Sequence, residues 1–317
     1  MGLIGAAMVV VAALGTWGCG PAPSRSAEQD LSQRTIHVVA TTSMLADLVS
    51  NVGGDRMSVE SLMGPGVDPH LYKPSEGDVR RMAQADVIIY NGLHLEGKMT
   101  DIFDQMRSRN ARTIGVAESA IPDSLLIESP LFAGNYDPHI WLSVPLWTRA
   151  ARYLADTFAE MDPTHAETYR RNARKYEAEL EVVHQYVETR AREVPAPQRI
   201  LITSHDAFGY FGEAYGFDVR GLQGISTATE AGASDVQDLA AFVAERRVPA
   251  VFVESSVSQR GIEAVREAVR SRGFDVQIGG TLYGDALGGA GSGAETYIGM
   301  VRANIDTIVD GLTRPVS

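Results

Sequence analysis

Asp162-Pro163 and Pro195 bracket a stretch with no helix breaker: neither glycine nor proline occurs from Thr164 to Val194. Aspartate suits the cap and proline the first helical position, so the spacing predicts one helix over 163–194, about 48 Å long at about 1.5 Å per residue. Its apolar positions are sparse among Glu, Arg and Ala, which suits a strut lying across two lobes better than a core element. The chain on either side must then supply the lobes. A length of 317 residues, at roughly 150 per domain, allows two of them.

Both sides alternate strand-like and helix-like segments. Before the strut, Ile36 to Ala40, Met57 to Met63 and Val87 to Tyr90 read as strands. Between them Ser43 can cap a helix whose Met44, Leu45, Leu48, Val49 and Val52 share a face, stopped by Gly53-Gly54. Ser75 to Ala83 reads as a second helix, with Asp78 at the capping-box position. After Pro195 and Pro197, Arg199 to Thr203, Ala250 to Glu254 and Asp275 to Gly279 read as strands. Val236 to Arg246, Gly261 to Arg270 and Ala294 to Leu312 read as helices. The expected fold class is therefore α/β: two lobes (35–162 and 195–317), each a mainly parallel sheet flanked by helices, joined by the rigid helix 163–194. Ligands in such sheets sit beyond the carboxyl ends of strands.

Composition narrows the partners. With 28 basic and 40 acidic side chains the net charge is 28 − 40 = −12, a field that repels phosphate backbones, so nucleic acid is excluded as an expected partner. The single cysteine, Cys19, permits no internal disulfide and no cysteine-built zinc site, so any metal needs nitrogen or oxygen donors. Leu3 to Trp17 is an uncharged run suited to a signal peptide but short of the roughly 20 residues that span a bilayer. It ends at Gly18-Cys19, and residues 20–34 read as a flexible tether. The pattern resembles a bacterial lipoprotein signal with Cys19 as the lipidated residue, although Thr16 and Trp17 replace the usual aliphatic and small residues and no basic residue precedes the run. The alternative is ordinary secretion, with Cys19 in the discarded leader. Either way the mature protein is expected outside the cytoplasm.

The chemistry concentrates at four places. Asp68-Pro69-His70 and Asp137-Pro138-His139 repeat one device: proline fixes φ and disfavours helix at the preceding aspartate, so each imidazole is delivered from a rigid turn. His205 follows the strand ending at Thr203-Ser204, and Asp285 lies in a glycine-rich turn after the last strand. Four metal-ligand candidates, two per lobe, thus follow predicted strands. Glu254, Asp68 and Asp137 are candidates to orient the imidazoles from behind, the two aspartates also being suited to bond their own turns. His94 and Glu96 follow a strand, which offers His94 an approach to the cleft, but His94 reads rather as a loop or packing residue; His37 reads as structural, and His165 and His184 as solvated on the long helix. Trp141 and Trp147 read as packing residues, and Gly288 to Gly293, lacking the lysine of a phosphate loop, as a turn feeding the last helix.

Val67-Asp68-Pro69-His70-Leu71-Tyr72, Asp137-Pro138-His139-Ile140-Trp141-Leu142, Ser204-His205-Asp206-Ala207-Phe208-Gly209-Tyr210-Phe211 and Leu282-Tyr283-Gly284-Asp285-Ala286-Leu287 resemble the signatures of the zinc- and manganese-binding solute-binding proteins of ABC importers, the TroA-like or ZnuA-like family. The resemblance runs from Thr35 to Leu312. It implies a divalent ion held in the interlobe cleft by His70, His139, His205 and Asp285, and delivery to a membrane permease driven by a cytoplasmic ATPase. It implies a transport component, not an enzyme, expected to be a monomer. Three neutral imidazoles and one carboxylate leave a bound dication at 2 − 1 = +1, and this nitrogen-rich set favours Zn²⁺ over calcium or magnesium. Mn²⁺ is the second choice: His205 tilts the balance to zinc, whereas the lack of a long His- and Asp-rich loop between His70 and His139 tilts it back. Imidazoles of ordinary basicity would lose the ion below about pH 6. Two rival readings are an extracytoplasmic zinc hydrolase with Asp285 or Glu254 as general base, and a binder of a chelate such as haem or a siderophore.

Overall fold

The computed structural model describes Gly2 and residues 31–109, 111–129, 132 and 134–314, so Cys19 and the expected leader lie outside the described residues. In chain order the elements are β1 (Ile36–Ala40), α1 (Ser43–Gly53), β2 (Met57–Ser61), α2 (Glu76–Gln84), β3 (Val87–Tyr90), α3 (Thr100–Ser108), β4 (Arg112–Gly115), α4 (Val116–Ala120), α5 (Val144–Met161) and α6 (Ala166–Ala191). There follow β5 (Ile200–His205), α7 (Gly209–Tyr215), β6 (Asp218–Gln223), α8 (Ala233–Arg246), β7 (Ala250–Glu254), α9 (Arg260–Arg270), β8 (Gln277–Leu282) and α10 (Tyr297–Leu312).

The first lobe is built on a four-stranded parallel sheet, β2-β1-β3-β4, in which Val38 pairs with Val59 on one side and Val87 on the other. All four residues of β3 are buried, the mark of a strand covered on both faces. The second lobe has two parallel pairs, β5-β6 and β7-β8, with β5 packed beside β7. Every ladder among these named strands is parallel, so the carboxyl ends of β2, β3, β5, β7 and β8 all open into connecting loops, and those loops carry the site.

Local caps follow the sequence with one exchange. Ser75 and Asp78 close a full capping box on α2. On α1 the cap is Thr42, whose hydroxyl accepts the Leu45 N–H at 3.4 Å, and not Ser43. The Ser43 hydroxyl instead accepts the backbone N–H of Leu287 at 2.9 Å, a bond from the first lobe to the second.

The long helix differs from the expected strut. Its α-helical part is Ala166–Ala191, about 39 Å, with Pro163–His165 forming a separate 3₁₀ turn. It is also a core element: Tyr169, Ala173, Tyr176, Leu180, Val183, Val187 and Ala191 are buried in one stripe at spacings of three and four. Its first half is fastened to the first lobe, where Asn172 donates to the Val52 carbonyl at 3.1 Å and Arg152 of α5 reaches Glu177 at 2.8 Å. Its second half is fastened to the second lobe, where Tyr186 donates to Asp306 at 2.6 Å and Arg190 reaches Asp306 and Asp310 at 2.9 and 2.8 Å. His184, expected in solvent, stands 3.1 Å from the Tyr215 hydroxyl of α7, and His165 lies 2.9 Å from Asp162.

Candidate metal centre

The turns that carry the first two histidines are held by their own aspartates. Asp68 Oδ1 accepts the His70 N–H at 2.8 Å, and Asp137 Oδ1 accepts the His139 N–H at 2.9 Å. The second turn is clamped further: Asn91 donates to the Pro138 carbonyl at 3.0 Å, and Tyr210 of the second lobe donates to the Asp137 carbonyl at 2.9 Å. Asn91 is itself set by a left-handed turn, with φ of +87°, +52° and +64° at Gly92, Leu93 and His94. Such values are costly for the two non-glycine residues. The buried carboxylate of Glu96 holds this turn, accepting from the Thr41 hydroxyl at 2.7 Å and the Asn91 and Gly92 N–H groups at 2.8 and 3.2 Å. His205 ends β5, and Asp285 follows β8 by three residues.

These four side chains meet. Donor atoms of His70, His139, His205 and Asp285 all lie within 4.8 Å of one another, and all four residues are buried. The Nε2 atom of His139 is 3.2 Å from that of His70 and 3.4 Å from that of His205. Asp285 Oδ1 is 3.4 Å from His139 Nε2, and its Oδ2 is 3.3 Å from His205 Nε2 and 3.9 Å from His70 Nε2. An ion about 2.0–2.1 Å from four donors sets them about 3.3–3.4 Å apart along tetrahedral edges; among the three Nε2 atoms and Asp285 Oδ2, the separations of 3.2, 3.4 and 3.3 Å lie near that edge and the 3.9 Å one is longer. The carboxylate turns both oxygens toward the same point, which also accommodates a fifth bond.

Neither Asp285 oxygen makes a well-formed hydrogen bond among the described residues, although the side chain is fully buried. A buried carboxylate without such partners is expensive, and a cation at the common point would satisfy it. Two imidazoles are backed by further carboxylates: Asp137 Oδ1 lies 2.7 Å from His139 Nδ1, and Glu254 Oε2 lies 2.9 Å from His205 Nδ1 while Oε1 accepts the His205 N–H at 2.9 Å. The Asp137 contact aims Nε2 of His139 inward, whereas the 2.9 Å approach of Glu254 to His205 Nδ1 lacks hydrogen-bond geometry, so Glu254 fixes His205 through its backbone N–H and its charge. Asp68 is employed differently: its second oxygen accepts the Thr227 hydroxyl of the second lobe at 2.6 Å rather than meeting a ring.

Basicity diverges accordingly. Burial pushes His70 down to about 3, Asp285 opposing. For His139 burial is again the largest influence and again disfavours the proton, but Asp137 and Asp285 together outweigh it and raise the ring to about 9. His205 is raised well above its ordinary range, Glu254 and Asp285 overcoming burial. Asp285 is held well below the usual carboxylate range, His205 and His139 overcoming burial. Proton competition for the site is thus shifted upward from the pH 6 expected of ordinary imidazoles.

His94 is exposed and outside this cluster, and Trp141 does more than pack: its indole N–H crosses the lobes to the Gly284 carbonyl at 2.7 Å. Trp141 and Tyr210 both sit inside motifs that carry ligands, so their place was marked in the sequence; Thr227 had no such signal.

The family described as zinc-uptake complex component A, periplasmic (ZnuA), matches residues 38–311. The chain belongs to this family. It is 46% identical over 277 residues to the zinc-binding protein TroA of Treponema pallidum, covering 87% of this chain and 89% of TroA. It is 45% identical over 308 residues to the manganese-binding lipoprotein MntA of Bacillus subtilis, covering 96% of this chain and 98% of MntA. The solved structure of the periplasmic zinc-binding TroA superposes with a TM-score of 0.85 at 45% identity, covering 88% of this chain and all of that one. ZnuA-family membership and the two-lobed α/β fold agree with the resemblance carried by the motifs.

Proposed function

We propose that this protein is the extracytoplasmic capture component of an ABC importer, binding one divalent transition metal between His70, His139, His205 and Asp285 and handing it to a membrane permease powered by a cytoplasmic ATPase. The observation that carries this reading is the meeting of four buried donors, two from each lobe, around an Asp285 carboxylate without a well-formed hydrogen bond of its own. Zn²⁺ is the favoured cargo and Mn²⁺ the next. The short donor separations favour zinc, while both oxygens of Asp285 are available to an ion of higher coordination number. The ion with Asp285, Asp137 and Glu254 sums to 2 − 3 = −1, closer to neutrality than the 1 − 3 = −2 of a monovalent ion.

The rival readings fare worse. A zinc hydrolase keeps a coordination position open for water, whereas four protein donors fill a tetrahedron. A haem or siderophore needs room that donors within 4.8 Å of one another do not leave. Among the described residues no helix is long and apolar enough to cross a membrane, and we assign membrane attachment to lipidation of Cys19. We take the working form to be a monomer.

Dialysis against Zn²⁺ and Mn²⁺, elemental analysis and competitive titration test the reading. One equivalent of ion per chain, lost on His139→Ala, is expected. Full binding by His139→Ala, or a stoichiometry independent of the four residues, overturns it. Turnover of simple esters by the metal-loaded protein would favour the hydrolase.

A further inference from the structure

The Asp285 carboxylate has no well-formed hydrogen bond to hold it among the described residues, so its aim depends on its backbone. Two side chains grip that backbone. From the same lobe, Asn304 of α10 accepts the Tyr283 N–H and donates to the Tyr283 carbonyl, both at 2.9 Å. From the opposite lobe, Trp141 donates to the Gly284 carbonyl at 2.7 Å. The Trp141 carbonyl in turn accepts the Tyr297 hydroxyl at 2.8 Å, and Tyr297 is the first residue of α10. Tyr297 stacks on Trp147 of α5 at 5.1 Å, and its N–H reaches Asp47 of α1 at 3.3 Å. Both Trp141 and Tyr297 are buried, so their polar groups have no water to fall back on.

The indole also meets the opposing ligands. Its ring lies edge-on to His139 at 5.2 Å. Gly284 lies against the His205 side of the site, where an added Cβ would fall 2.3 Å from Glu254 Oε2 and 3.5 Å from His205 Cε1. Three ligands therefore share one brace.

We propose that Trp141 is a positioning residue for the metal, its indole N–H bridging the lobes to hold Asp285 at coordination distance from His139 and His205, with Tyr297 as its support. The proposal rests on the metal-binding reading above and adds the residue that sets its geometry. Phenylalanine at 141 keeps an aromatic ring but loses the donor, leaving the Gly284 carbonyl unpaired and the Asp285 turn free to shift. An ion whose carboxylate has drifted takes water as a replacement ligand.

Co²⁺ is the probe, because its visible bands are intense when four-coordinate and weak when water raises the coordination number. Trp141→Phe, Tyr297→Phe and His139→Ala are compared in the full chain for Co²⁺ affinity, visible spectrum and thermal unfolding without metal. Trp141→Phe is expected to lower affinity about 10–100-fold and weaken the bands, and Tyr297→Phe to do the same to a smaller degree. If Trp141→Phe does not fold, Tyr297→Phe alone decides, by the same spectrum. Unchanged affinity and bands in whichever variants fold, with His139→Ala abolishing both, overturn the brace and leave the metal site standing. Retention of Co²⁺ by His139→Ala instead removes the site reading itself.

Discussion

The two Asp-Pro-His turns have the same sequence and the same local bond, yet their histidines end with opposite chemistry. In both, the aspartate accepts the N–H of the histidine two residues on. Asp137 then also meets the ring nitrogen of His139, while the free oxygen of Asp68 goes to Thr227 across the cleft. One imidazole is raised to about 9 and the other depressed to about 3. The tripeptide dictates the turn, and what packs on it decides what the carboxylate does. The first carboxylate joins the lobes and the second makes a ring basic.

Replacing His139 tests the comparison most severely. His139→Ala removes a donor that lies within 3.4 Å of donor atoms of His70, His205 and Asp285, and should lower Zn²⁺ affinity beyond the about 10–100-fold typical of an outer-shell change, measured by competition with a chelating dye. An effect below tenfold would displace His139 from the centre. Next, Asp137→Ala should cost about 10–100-fold, whereas Asp68→Ala should cost well under tenfold. Equal losses would erase the distinction between the two aspartates.

The pH response follows from the same contrast. A raised His139 stabilises the folded, metal-free protein; that contribution is complete below the unfolded value of 6.5 and is lost as pH rises through about 9. Metal affinity runs the other way, climbing over that window as the proton leaves. At pH 7 uptake of Zn²⁺ should release a number of protons greater than zero, drawn from His139 and His205 and not from His70. Calorimetry in buffers of different ionisation enthalpy measures this number, and a release of zero would contradict the assignment. Asp137→Ala should reduce it. Smallest of all, Thr227→Ala should lower the unfolding free energy of the metal-loaded protein by about 1 kcal/mol through loss of the bond to Asp68, read from thermal denaturation.

What sequence reasoning could reach depended on how locally each feature is determined. The places of His70, His139, His205 and Asp285 were readable because each follows a strand or a proline-fixed turn, and neither signal needs a distant partner. β4 and β6 were not: Asp218-Val219-Arg220-Gly221-Leu222-Gln223 has little apolar alternation and is extended because β5 offers it a parallel ladder. The buried stripe on α6 was present at the right spacing, but Ala173, Ala191 and the tyrosines dilute its apparent polarity contrast among charged neighbours. Thr42 and Ser43 are both competent caps, and the choice between them is made by Leu287, 244 residues away.

The way α6 is fastened limits how this protein can release its load. A helix pinned to one lobe by Asn172 and Glu177 and to the other by Tyr186 and Arg190 cannot act as a free hinge strap. Prying it away would bare Leu180, Val183 and Val187 at roughly 1.5–3 kcal/mol apiece, so gaping open is closed off as an unloading route. Slight flexing of an intact spine and shifts of the ligand-bearing loops keep these fastenings and that buried stripe in place.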